Sequence, residues 1–230
     1  MKLGVRDIYL RIKRLGLRNN MEFTSEVPNA KDYYRILIAT ILSQNTNDKN
    51  SIRAFKNLDR LVGVEPEKIL KADPDRIADA IRIGGLHNTK ARKIKEATKL
   101  IMEEFDGDLT QIINMDYREA RKKLLSIPGI GDKTADILLL KAGHPAFPVD
   151  THISRITKRL GLVKRGAGYK EISRVWREGL TPEQYLDAHL NLIAFGRKIC
   201  KAVNPKCTEC PINNACKYYG EKIGKENNAQ

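Results

Sequence analysis

All four cysteines of this 230-residue chain fall between positions 200 and 216, as Cys200, Cys207, Cys210 and Cys216. No disulfide framework can therefore staple residues 1–199, and whatever they form must be held by apolar packing, for which the chain is long enough. The thiols are separated by six, two and five residues, which reads as a local metal or cluster site and favours a reducing, intracellular compartment. Four thiolates so close together can surround an iron–sulfur cluster or a tetrahedral zinc. Zinc ribbons usually set two close pairs well apart, whereas Cys207 and Cys210 make the one close pair here. Free thiols are the bland alternative.

Upstream of the cysteines the dominant period is helical. "RDIYLRIKRLGL", "KDYYRILIATILSQ", "TKARKIKEATKLIMEEF", "REARKKLLSI", "DKTADILLLKAG" and "TPEQYLDAHLNLIAFGRKIC" all space apolar residues by three and four. Helix starts are written in as well: Asp73 precedes Pro74, and Thr181 precedes Pro182 with Gln184 placed for a capping box. The extended candidate is "HPAFPVD", where Pro145 and Pro148 forbid a central strand. The expected class is all-α, in two lobes: a helical domain over 30–145, and a second domain joining 1–29 to 146–230 and carrying the cysteines.

Lys and Arg outnumber Asp and Glu by 42 to 28, a net charge of +14, which suits a polyanionic partner with nucleic acid foremost. No apolar h-region opens the chain and no run of about 18 apolar residues occurs, so a soluble, cytoplasmic protein is expected, nucleoid-associated if prokaryotic. Between His152 and Arg177 the basic residues, Arg155 among them, face Glu171 as their sole acid. So one-sided an imbalance suits a phosphate-facing surface better than an ordinary solvated helix face.

The hairpin "SIPGIGDK" carries the chemistry. Pro128 and Gly129 end one helix, and Gly131 lets the backbone turn and leaves the next helix's first amides without intrachain partners. Such amides can hold a DNA phosphate, although a plain helix–helix connection would look the same. Lys133 follows in the first turn, where the macrodipole disfavours an ammonium and so favours a nucleophilic amine; gripping phosphate is its plainer role. Asp150, after the proline-stiffened "AFPV", stands where a helix N-cap belongs. Beside Lys133 it would add an anion able to stabilise positive charge on a sugar ring. A fainter echo of the hairpin, "IGGLHNTKARKI" at 83–94, repeats the plan of glycine turn, lysine and helix.

"LLSIPGIGDKTA", "FPVDTHISRITKRLGL" and the cysteine spacing together resemble the helix-hairpin-helix DNA glycosylases, specifically the endonuclease III branch with its lysine. The resemblance runs from about Lys31 to Cys216. It implies a two-lobed helical glycosylase fold and a bifunctional enzyme of base excision repair acting as a monomer on double-stranded DNA. A damaged base, such as an oxidised pyrimidine, is flipped out, Lys133 attacks C1′, and a Schiff base leads to strand scission by β-elimination. Asp150 becomes the essential carboxylate, and Gly129 and Gly131 the phosphate-binding turn. It further implies that Cys200, Cys207, Cys210 and Cys216 hold a [4Fe-4S] cluster whose basic loop "KAVNPK" brings Lys201 and Lys206 to DNA. Asn45, with Gln44 as rival, would fill the gap left by the flipped nucleotide, and Leu86 would wedge into the stack. Arg155 is a candidate phosphate contact.

Within the superfamily, the adenine-excising branch carries a glutamate where Ala39 stands, so adenine excision is not expected. The mismatch thymine or uracil branch usually has tyrosine or serine at the position of Lys133 and remains an alternative, as does a non-catalytic DNA-binding iron–sulfur protein. The preferred base and any redox role of the cluster are not legible in the sequence.

Overall fold

The computed structural model describes residues 3–17 and 32–221. It divides into two compact units, a terminal one formed by Met1–Asn20 with Gly143–Gln230 and a central one of Met21–Ala142. The expected domain boundary at 29–30 lies outside the described residues. Among the described residues there are helices and no strand, so the all-α expectation holds.

The terminal unit begins with α1 (Val5–Lys13), which buries Ile8, Tyr9 and Ile12. In the central unit, α2 (Tyr33–Ser43) starts where the Asp32 carboxylate accepts from Arg35 N at 2.9 Å, a side-chain cap for an otherwise orphaned amide. Eight successive-face residues from Tyr34 to Leu42 are buried on it, and a helix apolar all round belongs in the middle of a core. Around it run α3 (Asp48–Leu61), α4 (Pro66–Lys71), α5 (Pro74–Ala80), α6 (His87–Phe105), α7 (Thr110–Ile113), α8 (Tyr117–Ser126) and α9 (Asp132–Lys141). Asp73 caps α5 by accepting from Asp75 N at 2.7 Å, with Pro74 at the first helical position, where its missing N–H costs nothing.

The terminal unit resumes with α10 (Thr151–Leu160), α11 (Tyr169–Gly179) and α12 (Pro182–Lys198). At the start of α12, Thr181 N donates to Gln184 Oε1 at 3.1 Å, the half of a capping box that the sequence announces. Trp176 is fully buried, lies parallel to Phe147 at 5.8 Å, and donates its indole N–H to Thr157 Oγ1 at 2.8 Å. Truncating either ring to alanine would cost about 3–5 kcal/mol. A Cβ on Gly179 would sit 2.4 Å from the Val5 Cβ, so that glycine is what lets α1 dock against the end of α11.

Candidate active site and metal centre

The glycine hairpin joins α8 to α9. Ile130 N donates to Ile127 O at 3.1 Å, Gly129 takes φ +82°, and Gly131 is an exposed, extended N-cap with nothing within 4 Å of where its Cβ would be. A glycine cap has no side chain with which to satisfy the helix's first amides, and the space before them is open, which is the geometry of an anion site. Lys133, the second residue of α9, is exposed beside it. The hairpin's two helices are clamped by an arginine: Arg121 on α8 donates to Asp132 at 2.5 Å and to Asp136 at 2.7 Å. Burial works against the Arg121 charge, but the two carboxylates outweigh it and hold the guanidinium protonated above its ordinary value. The turn of α9 that carries Lys133 is thereby fixed from both sides.

Asp150, half-buried at the N-cap of α10, accepts from Ile153 N at 2.7 Å. The extended segment before it has no partner strand among the described residues, and side chains satisfy its backbone instead. Ser173 donates to Phe147 O at 2.8 Å, His189 Nδ1 to Pro148 O at 3.1 Å, and Val149 N to the Tyr169 hydroxyl at 3.3 Å. Three consecutive residues are thus pinned by α11 and α12, which sets where Asp150 begins its helix.

Asn45 and Leu86 share a property the sequence did not announce: both are left-handed, at φ 53° and 51°. Asn tolerates that region, but for leucine it costs roughly 1–2 kcal/mol, and strain of this kind gathers at functional positions. Leu86 is moreover 55% exposed, and Asn45 is exposed while its rival Gln44 is only partly so and caps α2 in an extended conformation. Ala39 is buried in α2.

The phosphate role expected of Arg155 does not fit its geometry. Its guanidinium donates to Cys200 O at 3.0 Å and Gly196 O at 2.9 Å, and lies 2.9 Å from His152 Nδ1. With its donors turned to these internal partners, Arg155 pins the entry to the cysteine loop rather than facing solvent. Arg159, which sequence reasoning missed as a structural residue, continues the work: it donates to Lys201 O at 2.6 Å and Ala202 O at 2.9 Å, reaches Cys200 Sγ at 3.5 Å, and lies over the Tyr218 ring. Both were visible only as members of a basic run. Lys201 and Lys206 are exposed on the loop, Lys206 paired with Glu209 at 3.0 Å.

Cys200, Cys207, Cys210 and Cys216, each half-buried, line one cavity with Ile156, Leu160, Phe195, Ile199 and Ile212. Burial, with the neighbouring thiols adding to it, pushes Cys210 up to about 11 and raises Cys216 as well. Four thiolates would repel one another in such apolar walls unless a cationic centre compensated them. Among the described residues no three His, Cys, Asp or Glu side chains gather closely enough for a single metal ion. Four cysteines sharing one largely apolar cavity, with an Arg159 N–H directed at Cys200 Sγ, fit an iron–sulfur group.

Comparison with known proteins agrees with this geometry. Residues 38–182 match the HhH-GPD superfamily of base excision DNA repair proteins, and residues 200–216, the span of the four cysteines, match the iron–sulfur binding domain of endonuclease III. Endonuclease III of Sulfolobus acidocaldarius is 40% identical over 221 residues, covering 94% of this chain and 97% of that protein. A trapped endonuclease III–DNA covalent intermediate superposes with a TM-score of 0.78 at 25% identity, over 96% of this chain and 99% of that one. A thermostable thymine-DNA glycosylase does so at 0.80 and 25% identity, over 94% and 97%. No helix among the described residues is long and apolar enough to cross a membrane. The chain belongs to the endonuclease III branch of the HhH-GPD superfamily, as a base excision repair DNA glycosylase with abasic-site lyase activity and an iron–sulfur domain.

Proposed function

We propose that this enzyme removes oxidised pyrimidines from double-stranded DNA, with Lys133 as the nucleophile and Asp150 as the carboxylate that stabilises positive charge on the sugar. The observation that carries the reading is an exposed lysine in the first turn of a clamped helix, next to open backbone amides. The neutral Lys133 amine attacks C1′ of the flipped nucleotide, the C1′–N bond breaks, and the base leaves with the bonding pair and takes up a proton. Ring opening gives an imine to Nζ. Loss of a C2′ proton then expels the 3′ phosphate, and water releases the lysine. The amides around Gly129 and Gly131 grip backbone phosphate, while Leu86 and Asn45 occupy the stack vacated by the nucleotide. Ala39 supplies no carboxylate, so adenine excision is not part of the activity.

Cys200, Cys207, Cys210 and Cys216 are the ligands of a [4Fe-4S] cluster that shapes the Lys201–Lys206 loop. Purified protein should absorb broadly near roughly 400 nm, and Cys207→Ser should bleach it; a colourless protein holding one zinc would reject this centre. The enzyme acts as a monomer in the cytoplasm.

The decisive experiment is a panel of duplexes, each with one lesion or mismatch, scored separately for base release, scission and borohydride cross-linking. Oxidised pyrimidines should give all three. A second reading, excision of mismatched thymine or uracil, is favoured by the likeness to the thymine-DNA glycosylase. Base release from such mismatches with no trapped adduct would establish it in place of the first.

A further inference from the structure

Lys90 is 3% exposed, an unusual position for an ammonium, which is rarely buried without good partners. It sits in the first turns of α6 and donates to two carbonyl oxygens, Leu42 O at 2.9 Å and Gly84 O at 2.9 Å. Leu42 lies at the end of α2, where carbonyls lack helical partners and the dipole favours a cation. Gly84 closes the short turn of Arg82–Gly84 ahead of α6. The two anchored residues stand three before Asn45 and two before Leu86, both of them exposed and left-handed. One buried cation therefore bonds the roots of both loops at once.

We infer that Lys90 is a positioning residue for base extrusion: by bonding Leu42 O and Gly84 O at once, it holds the Asn45 and Leu86 loops at a fixed spacing so that both enter the stack together. The inference rests on the reading of Asn45 and Leu86 given above. Burial also lowers the Lys90 ammonium from its ordinary value, and the two carbonyls are what favour the protonated form. Nothing in the chemical step involves this side chain, so its effect belongs to unstacking alone. That separates it from a residue that merely supports the core.

The test uses the full-length enzyme and stopped-flow fluorescence of 2-aminopurine beside an oxidised pyrimidine, with cleavage of a preformed abasic site measured in parallel. Leu86→Ala, by removing the apolar wedge, and Lys90→Met, by losing hydrogen bonds from a charged group, should each slow extrusion by about tenfold. The double variant should be no slower than the slower single one, because both act through the same wedge. Abasic-site cleavage, where no base must be unstacked, should stay within about threefold of wild type for Lys90→Met. If Leu86→Ala extrudes at the wild-type rate, the wedge reading fails and this inference with it. If Leu86→Ala is slow but Lys90→Met is not, the inference alone fails. It is also overturned if the two effects add, or if Lys90→Met slows abasic cleavage as much as extrusion. Should Lys90→Met not fold by circular dichroism, Lys90→Gln, which keeps a donor amide on a shorter stem, carries the same measurements and is read the same way.

Discussion

Residues 83–94 and 127–138 follow one plan, a glycine turn, an early lysine and a helix, yet their lysines meet opposite fates. Lys90 is buried and bonded to backbone, whereas Lys133 is exposed. The difference is one of register. Helix α6 begins at His87 and α9 at Asp132, so the lysines are the fourth and second helical residues. At 3.6 residues per turn that offset of two rotates a side chain by about 200°, from the reacting face to the core. The turns differ too: each has a glycine at positive φ, Gly129 at 82° and Gly85 at 68°, but in the second Leu86 is left-handed as well, at 51°. One hairpin is built without strain to present an amine and free amides, while the other accepts strain to project an apolar side chain.

Breaking the first hairpin should have the larger effects. Lys133→Gln should abolish the borohydride cross-link and lower scission by more than about a hundredfold, while gel-shift affinity for DNA changes little because the glycine amides remain. A retained cross-link would move the nucleophile elsewhere. Arg121→Met should cost about 3–5 kcal/mol in urea unfolding, because the Asp136 side chain is 2% exposed and loses its cation. Pairing it with Asp136→Leu should recover most of that loss; failure to recover would mean that the clamp is not what stabilises the hairpin.

Smaller effects sharpen the contrast between the turns. Gly129→Ala forces a Cβ into the left-handed region, 3.3 Å from the Lys93 Cβ, and should lose about 1–2 kcal/mol. Gly131→Ala meets nothing within 4 Å and should leave stability within about 0.5 kcal/mol while weakening DNA binding by covering the amides. Leu86→Asn should be the mildest for stability, within about 0.5 kcal/mol and on the favourable side since Asn accepts this conformation, yet it should slow base extrusion. A Leu86→Asn protein that is clearly destabilised would show that the leucine serves the core and not DNA.

Local physics made much of this legible. Asp73 and Asp150 stand at helix starts because their side chains satisfy amides two and three residues away, and Gln184 reaches back to the Thr181 amide; neighbours in the chain suffice to say so. The helical class follows from spacing, and the cysteine loop from ligands only 17 residues end to end. Lys90 was readable in principle: it stands on the stripe that continues through Ile94, Ala97 and Ile101, all buried, and a lysine on an apolar stripe asks for a partner. Which carbonyls answer it, 6 and 48 residues away, no local pattern can state.

The sequence by itself thus determined the helices, their caps, the flexible positions of the glycine turns and the grouping of the thiols, since each depends on contacts within a few residues. Tertiary structure decided what the charged residues do. Arg155 and Arg159 belong to one basic run, but packing turns them onto backbone carbonyls at the entry to the cysteine loop, 41 to 45 residues away. Composition counts charge; only the fold decides whether a guanidinium's donors meet solvent or a buried carbonyl, because that depends on which surfaces the chain brings together.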